Sequence, residues 1–350
     1  MDGWAPVCRV DDIARPRARR ASPYPSQRND VQIRDMDDAT LARYIKEIGR
    51  GKKAAGDLSR NDARSLFSAA LGGLVPDLQL GAILIALRVK GESLEEFAGF
   101  AAACEASYLH LSVPRGQVPV VIPSYNGARQ LPNLVPLLAL LLAREGVPVL
   151  VHGVSRDPGR VTTREVLQAM QLEPAMSATE AQTQLAATRF AFLPVEVLAP
   201  QIAALLALRS ALGVRNSAHT LVKMLQPFAG TAARIVSVTH PEYLTRMREY
   251  FTTYDSGALL LRGAEGEAVA HPRREPVLEW AHAGKSEVWK DESSERAPAE
   301  LPADREAATT ARWIMDVLED RAPVPAAIAH QVECCKRAAR ILETESAASP

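Results

Sequence analysis

An α/β fold is expected: a small N-terminal helical domain, then a larger α/β domain with a mostly parallel sheet flanked by helices. Two features of the sequence predict it. Residues 39–109 carry apolar side chains at helical spacing, and after Pro114 short continuous apolar runs alternate with helical patterns. Such alternation requires right-handed crossovers, and runs apolar on both faces suit strands covered from both sides. A chain of 350 residues with 47% hydrophobic side chains can bury the core this fold needs.

The first helix spans Ala39–Gly49, with Leu41, Tyr44, Ile45 and Ile48 on one face, and Gly49 and Gly51 end it. Ser59 is placed to cap a second helix carrying Leu66, Phe67 and Ala70. Pro76 starts a third, Pro76–Lys90, apolar on most sides and so expected to be buried. Ser93 with Glu96 spells a capping box for a fourth. Strands are predicted at Val118–Ile122, Val147–Val151, Phe190–Leu193, Ile235–Val238 and Ala258–Leu261. Helices are predicted near 132–144, 162–170, 199–212, 216–226, 241–252, 303–319 and 326–343, with 284–306 an exposed polar loop. The predicted division is therefore a leader over 1–35, a helical domain over 36–112 and an α/β domain over 113–345. The leader is rich in Arg, Pro and Ser and lacks the apolar segment of a secretory signal, so it reads as disordered.

Composition narrows the function. Lys+Arg and Asp+Glu are both 41, so whole-molecule charge gives no argument for nucleic-acid binding and only a local basic patch could. Basic side chains outnumber acidic ones over 119–275, and the reverse holds over 276–350. Four cysteines without a CxxC or a His/Cys cluster suggest neither a disulfide framework nor a metal site, and a reducing cytoplasm is expected. The longest apolar run, Leu134–Ala143, is interrupted by Pro136 and falls far short of the roughly 20 residues that span a bilayer, so no membrane partner is expected.

Ligands of parallel α/β domains bind beyond the carboxyl ends of the strands, and four segments fall there. Pro123–Arg129 can turn backbone N–H groups toward a phosphate, with Asn126-Gly127 allowing positive φ and Arg129 adding charge; an ordinary turn is the plainer reading. His152–Arg160 offers Arg156 and Arg160 around a Pro-Gly turn, or a solvated loop. If 216–226 is helical, Arg215, His219 and Lys223 line one side as a cationic stripe that could follow a phosphate backbone. Glu265 and Glu267, separated by Gly266, are a weak signal for Mg²⁺ ligands; a solvated loop is the commoner reading. Aromatic residues are only 5%, and Tyr125 is the one placed where a base could stack.

The order of helical domain, strand–loop–helix, His152-Gly153 loop and Leu212-Gly213-x-Arg215 segment resembles the anthranilate phosphoribosyltransferases, of glycosyltransferase family 3 and the nucleoside phosphorylase/phosphoribosyltransferase fold. Within that family, YIKEIGRGKKAAGDLSRNDARSLF, VPDLQLGAILIALRVKGES and RNSAHTLVKMLQPF resemble the YbiB-type DNA-binding relatives, over roughly residues 40–345. The enzymes' Gly-Thr-Gly-Gly-Asp loop is replaced by Pro123-Ser124-Tyr125-Asn126-Gly127, and only Asn133 survives of the following Thr-Phe-Asn-Ile-Ser. Their Lys-His-Gly-Asn-Arg becomes Val151-His152-Gly153-Val154-Ser155, while Arg209, Leu212-Gly213 and Arg215 match. Too few groups remain to stabilise a departing pyrophosphate.

The resemblance thus implies a catalytically degenerate scaffold that binds DNA or RNA with little sequence preference and dimerises through its helical domain. Expected phosphate contacts are Arg129, Arg156, Arg160, Arg215 and Lys223, with Tyr125 and His219 secondary and Lys52 and Lys53 as additions. Asn126, Gly127, Asn133, His152, Gly153 and Arg209 form the remnant of the donor site. No catalytic residue, metal or cofactor is expected. The alternative is a glycosyl or phosphoribosyl transferase, which would require magnesium.

Overall fold

A computed structural model describes residues 36–51, 53–113, 116–254, 257–274, 276–289 and 300–348. The expected leader over 1–35, and Lys52, lie outside the described residues.

Four helices come first: α1 (Asp38–Ile48), α2 (Arg60–Leu71), α3 (Asp77–Lys90) and α4 (Leu94–Glu105). Their starts follow from local chemistry. The Ser59 hydroxyl accepts from Asp62 N at the head of α2, and Ser93 with Glu96 forms a complete capping box on α4. Helix α3 corrects its expectation of general burial. Ile83, Leu84 and Leu87 are buried, but Leu78, Ile85 and Val89 face outward, Leu78 at 87% exposure.

The sheet has seven strands in the order β3-β2-β1-β4-β5-β6-β7. These are β1 (Val120–Ser124), β2 (Val149–Gly153), β3 (Phe190–Pro194), β4 (Ala233–Ser237), β5 (Ala258–Leu261), β6 (Leu278–His282) and β7 (Lys285–Trp289). The first five pair in parallel and the last two antiparallel. Strands β1 and β2 lie two residues later than predicted, because pairing runs on to Ser124 against Gly153. A side chain at Gly153 would place its Cβ 2.1 Å from Ser124 O, so only glycine permits this last pair. His152 and Gly153 are consequently strand residues, not loop residues.

The predicted loop over 284–306 is also corrected at its start. Residues 285–289 are β7, joined to β6 by Ala283-Gly284 with both φ positive, as a two-residue hairpin with the sheet's twist requires.

The remaining helices are α5 (Val135–Arg144), α6 (Thr163–Ala169), α7 (Ala178–Thr188), α8 (Val195–Leu198), α9 (Pro200–Ala207), α10 (Arg209–Leu212), α11 (Ala218–Leu221), α12 (Pro241–Thr253), α13 (Ala307–Leu318) and α14 (Ala326–Ala348). Two apolar clusters lie on the two sheet faces. Val121, Leu150, Val236 and Leu260 join Leu41, Phe67, Phe97, Phe100, Ile202 and Phe251, so the first four helices share a core with one face of the sheet. Val120, Ile122, Val151 and Leu259 pack under Leu137, Leu138, Ile314 and Ile328 of α5, α13 and α14. The polar segments are left at the carboxyl ends of the parallel strands.

Candidate functional site

Three connections meet at that edge: the loop after β1, the loop after β2 and the turn after β5. The first two are stitched by a bridge in which Ala128 N donates to Val161 O and Val161 N to Ala128 O. Gly127, at φ +64°, allows the close approach, since an added Cβ would lie 3.0 Å from the Arg160 Cβ. Arg160 donates from a guanidinium nitrogen to Asn126 O at 3.1 Å and Gly127 O at 3.3 Å.

The β5 turn completes the arrangement. Glu267 Oε1 accepts the N–H groups of Asn126 (2.6 Å) and Gly127 (2.5 Å). The Glu265 carboxylate accepts those of Arg129 (2.8 Å), Gln130 (3.1 Å) and Leu131 (3.2 Å). Five donors of one loop thus converge on two carboxylates of the same chain. Burial tends to raise the Glu265 pKa, but the three N–H groups outweigh it and hold the carboxyl below its ordinary value. Asn126 Nδ2 donates to Glu265 O at 3.0 Å, and Lys223 Nζ donates to Gly266 O at 3.0 Å and Ser237 O at 3.3 Å.

Several expected phosphate contacts are corrected by their surroundings. Lys223 is 9% exposed and caged by those carbonyls, and burial pushes its pKa down to about 8. The continuous helix over 216–226 that would align Arg215, His219 and Lys223 does not form: α11 is one turn, followed by a 3-10 turn over Val222–Met224. His219 Nδ1 is engaged with Asn216, and burial, with Arg215 and Arg209 nearby, lowers its pKa to about 4, so it is neutral at pH 7. Tyr125 is turned inward rather than presented to a base. Its hydroxyl lies 2.6 Å from His152 Nδ1, and the two rings meet edge-on at 5.4 Å. His152 is fully buried, which drops its pKa to about 3, and its Nε2 has no hydrogen-bond partner among the described residues. Asn133 is buried too. Its Oδ1 accepts Val135 N at the start of α5 and its Nδ2 donates to Val161 O, a structural role.

The arginines behave differently. Arg129 and Arg156 are exposed. Arg160, Arg209 and Arg215 sit close enough that, after burial, the charges of Arg209 and Arg160 are the main forces depressing the Arg215 pKa. Asp157 is their local counter-ion, 3.3 Å from Arg209. Arg305, which sequence reasoning did not single out, reaches Arg129 O and Gly159 O, so it joins the rim from about 150 residues away in sequence. Arg273 and Arg274 act on His271, which the Glu265 charge also reaches. Lys53 is exposed in the turn after α1.

The magnesium that the transferase resemblance implies does not fit these residues. Both Glu265 oxygens and one of Glu267 are held by backbone N–H groups. No group of three His, Cys, Asp or Glu among the described residues is placed to hold an ion.

Known proteins share this framework. A model of the glycosyl transferase family's helical bundle domain matches residues 42–107. The uncharacterized protein YbiB of Escherichia coli (strain K12) is 44% identical over 295 residues, covering 84% of this chain and 92% of that protein. Anthranilate phosphoribosyltransferase of Sinorhizobium medicae (strain WSM419) is 27% identical over 209 residues, 60% of this chain and 61% of the enzyme. Among solved structures, anthranilate phosphoribosyltransferase from Thermus thermophilus matches with a TM-score of 0.69 at 23% identity, over 87% of this chain and 89% of that one. The same enzyme from Saccharomyces cerevisiae, in complex with PRPP and Mg, matches with a TM-score of 0.66 at 16% identity, over 84% and 87%. At these identities the structural matches establish the fold.

Proposed function

The chain belongs to the YbiB-type relatives of the anthranilate phosphoribosyltransferases, and from that premise we propose that it binds nucleic acid through phosphate contacts rather than transferring a phosphoribosyl group. One observation carries the reading. The backbone donors of the loop after β1 are already satisfied by Glu265 and Glu267, while around the same edge Arg129 and Arg156 are exposed and Arg160, Arg209, Arg215 and Arg305 are partly exposed. Those five N–H groups, engaged by the two carboxylates, are not free to receive a small pyrophosphate. An extended polyanion needs only a rim of arginines.

Arg129, Arg156, Arg160 and Arg215 are the phosphate contacts of this proposal, with Arg209 and Arg305 beside them. Arginine suits the task because its planar fork stays charged and grips phosphate oxygens in pairs. With Tyr125 turned inward, no base platform is offered at this edge by the residues singled out for it. Sequence preference should therefore be slight. The preference between DNA and RNA is part of the same proposal, to be read from parallel titrations. Homodimerisation is proposed through α3, whose outward Leu78, Ile85 and Val89 form an apolar stripe; light scattering after size-exclusion chromatography tests it. A cytoplasmic setting is proposed on composition. No helix among the described residues is long and apolar enough to cross a membrane.

The decisive test is fluorescence anisotropy of a labelled single-stranded oligonucleotide titrated with the protein. Sub-micromolar binding that weakens steeply with salt supports the proposal. No binding at low salt defeats it.

A second reading keeps the transferase of the scaffold, and the matching Arg209 and Arg215 favour it. His152 does not help it, since a histidine neutral down to about pH 3 and sealed from solvent is poorly placed for acid–base work. Magnesium-dependent micromolar binding of phosphoribosyl pyrophosphate would establish this second reading. Its absence at millimolar donor would dismiss it.

A further inference from the structure

A second concavity lies at the amino ends of the parallel strands, away from the arginine rim. A cavity of about 490 Å³ opens between α4, α12 and the start of β4, within the roughly 300–1,000 Å³ of small-molecule sites. Its presence follows from the sequence of α4. Phe97 and Phe100 enter the core, while Ala98, Ala101, Ala102 and Glu105 recur at the spacing of one helix side and line the cavity. Three alanines stand where larger side chains would close the gap, and the space stays open.

The other walls are aromatic and charged. The Tyr250 ring meets Phe97 edge-on at 5.6 Å, and the Tyr254 ring lies 6.0 Å from it. Tyr254 is held in turn by its hydroxyl bond to the Glu95 carboxylate and by the Arg60 guanidinium, 4.7 Å above its ring. Tyr108 is buried, and its hydroxyl donates to Gln226 O at 3.3 Å. Arg234, only 6% exposed, donates to Met224 O at 3.4 Å and lies 5.1 Å over the Phe251 ring. Burial pushes the Tyr108 pKa up, Glu105 adds to that and the Arg234 charge opposes it, so both charges reach the same phenol. Among the described residues the charged groups lining the cavity are Arg60, Arg234 and Glu105, which leaves it positive on balance. Positive charge between low-dielectric walls concentrates anions.

We infer that this cavity is a binding site for a small aromatic anion, its planar ring seated between the alanine side of α4 and the tyrosine rings and its anionic group turned toward Arg60 and Arg234. A flat ring fits the shallow alanine side, and ring contacts with tyrosine favour an aromatic body over an aliphatic one. Tyrosines already fixed by their neighbours lose little freedom when a ligand arrives. Aromatic carboxylates and nucleoside monophosphates share this chemistry, and the experiment separates them. The inference does not rest on nucleic-acid binding at the other edge, which uses none of these side chains.

The test is isothermal calorimetry on the full-length protein with two anions, indole-3-acetate and adenosine 5′-monophosphate, and their uncharged counterparts, indole-3-acetamide and adenosine. At least one anion should bind with a Kd at or below about 1 mM, and its uncharged counterpart at least about tenfold more weakly. Tighter binding of the first anion assigns a carboxylate ligand, and of the second a phosphate. Ala102→Leu fills the cavity and should weaken the binding at least about tenfold, as should Arg60→Ala, which removes a charge at its mouth. Thermal melts verify the fold, and Ala101→Leu is a second way to fill the space if Ala102→Leu does not fold. Three results overturn the inference: neither anion binding at or below about 1 mM, an uncharged counterpart binding as tightly as its anion, or binding that survives a folded leucine variant.

Discussion

Two sets of anion-seeking groups lie at one edge of the sheet and have opposite fates. The backbone donors at 126–131 are closed onto carboxylates of the same chain. The arginines at 129, 156 and 160 carry their charge to the surface or to carbonyl oxygens, with Asp157 as the neighbouring acid on Arg209. On the proposed function, satisfied inner donors and a partly exposed arginine rim would suit a polyanion better than a small donor. The comparison also divides stability from binding: inner groups should move the first and rim groups the second.

The largest stability effect is expected in acid. His152 and His219 are held at about 3 and about 4, below the ordinary 6.5, so the native state disfavours their protonated forms. Their contribution is complete above pH 6.5 and is lost as pH falls toward the folded values. For His152 alone this is roughly 3–5 kcal/mol. Urea denaturation at pH 7 and pH 4 should show the acid loss shrinking in His152→Asn, and an unchanged acid loss would place the titrating groups elsewhere.

Next is Glu267→Ala, which leaves the Asn126 and Gly127 N–H groups without their acceptor. A loss of about 2–4 kcal/mol in urea denaturation is expected, against under about 0.5 kcal/mol for Arg156→Ala. Equal losses would erase the division between inner donors and rim.

Lys223 comes third. Its folded pKa of about 8 lies below the ordinary 10.5, so the unfolded chain binds more protons between those values. Stability should rise by about 2–3 kcal/mol as pH climbs from 8 to 10.5. Lys223→Met should remove that rise, as thermal melts across the range would show. The smallest effect is that of Arg156→Ala on stability, for its side chain is exposed and makes no described inner contact.

Much of the fold was legible because its signals are local. Ser59 and the Ser93–Glu96 box mark their helices as read, and the five parallel strands follow from uninterrupted apolar runs. The misses share a physical reason. Strand β7 is an edge strand whose first four residues are exposed, so its polar pattern looks like loop. Helix α7 buries only Ala181 and Leu185, too narrow a stripe to read. The site was legible in its loops but not in its closure. Glu265 and Glu267 gave only a weak metal signal or a solvated loop, because their N–H partners lie some 140 residues earlier, beyond any local pattern. The one clue was glycine between two glutamates, where Gly266 packs against Asn126. Lys223 misled because helical spacing says which residues share a side, not whether that side faces solvent.

The most direct test of the arginine rim is the salt dependence of oligonucleotide affinity, compared between wild type and Arg156→Ala/Arg160→Ala. Each neutralised phosphate contributes about −0.7 to the log–log slope on single strands and about −0.9 on duplex. The account predicts that the double variant flattens the slope by roughly 1–2 units while remaining folded. A slope unchanged from wild type would contradict it and remove this edge of the sheet from the interface.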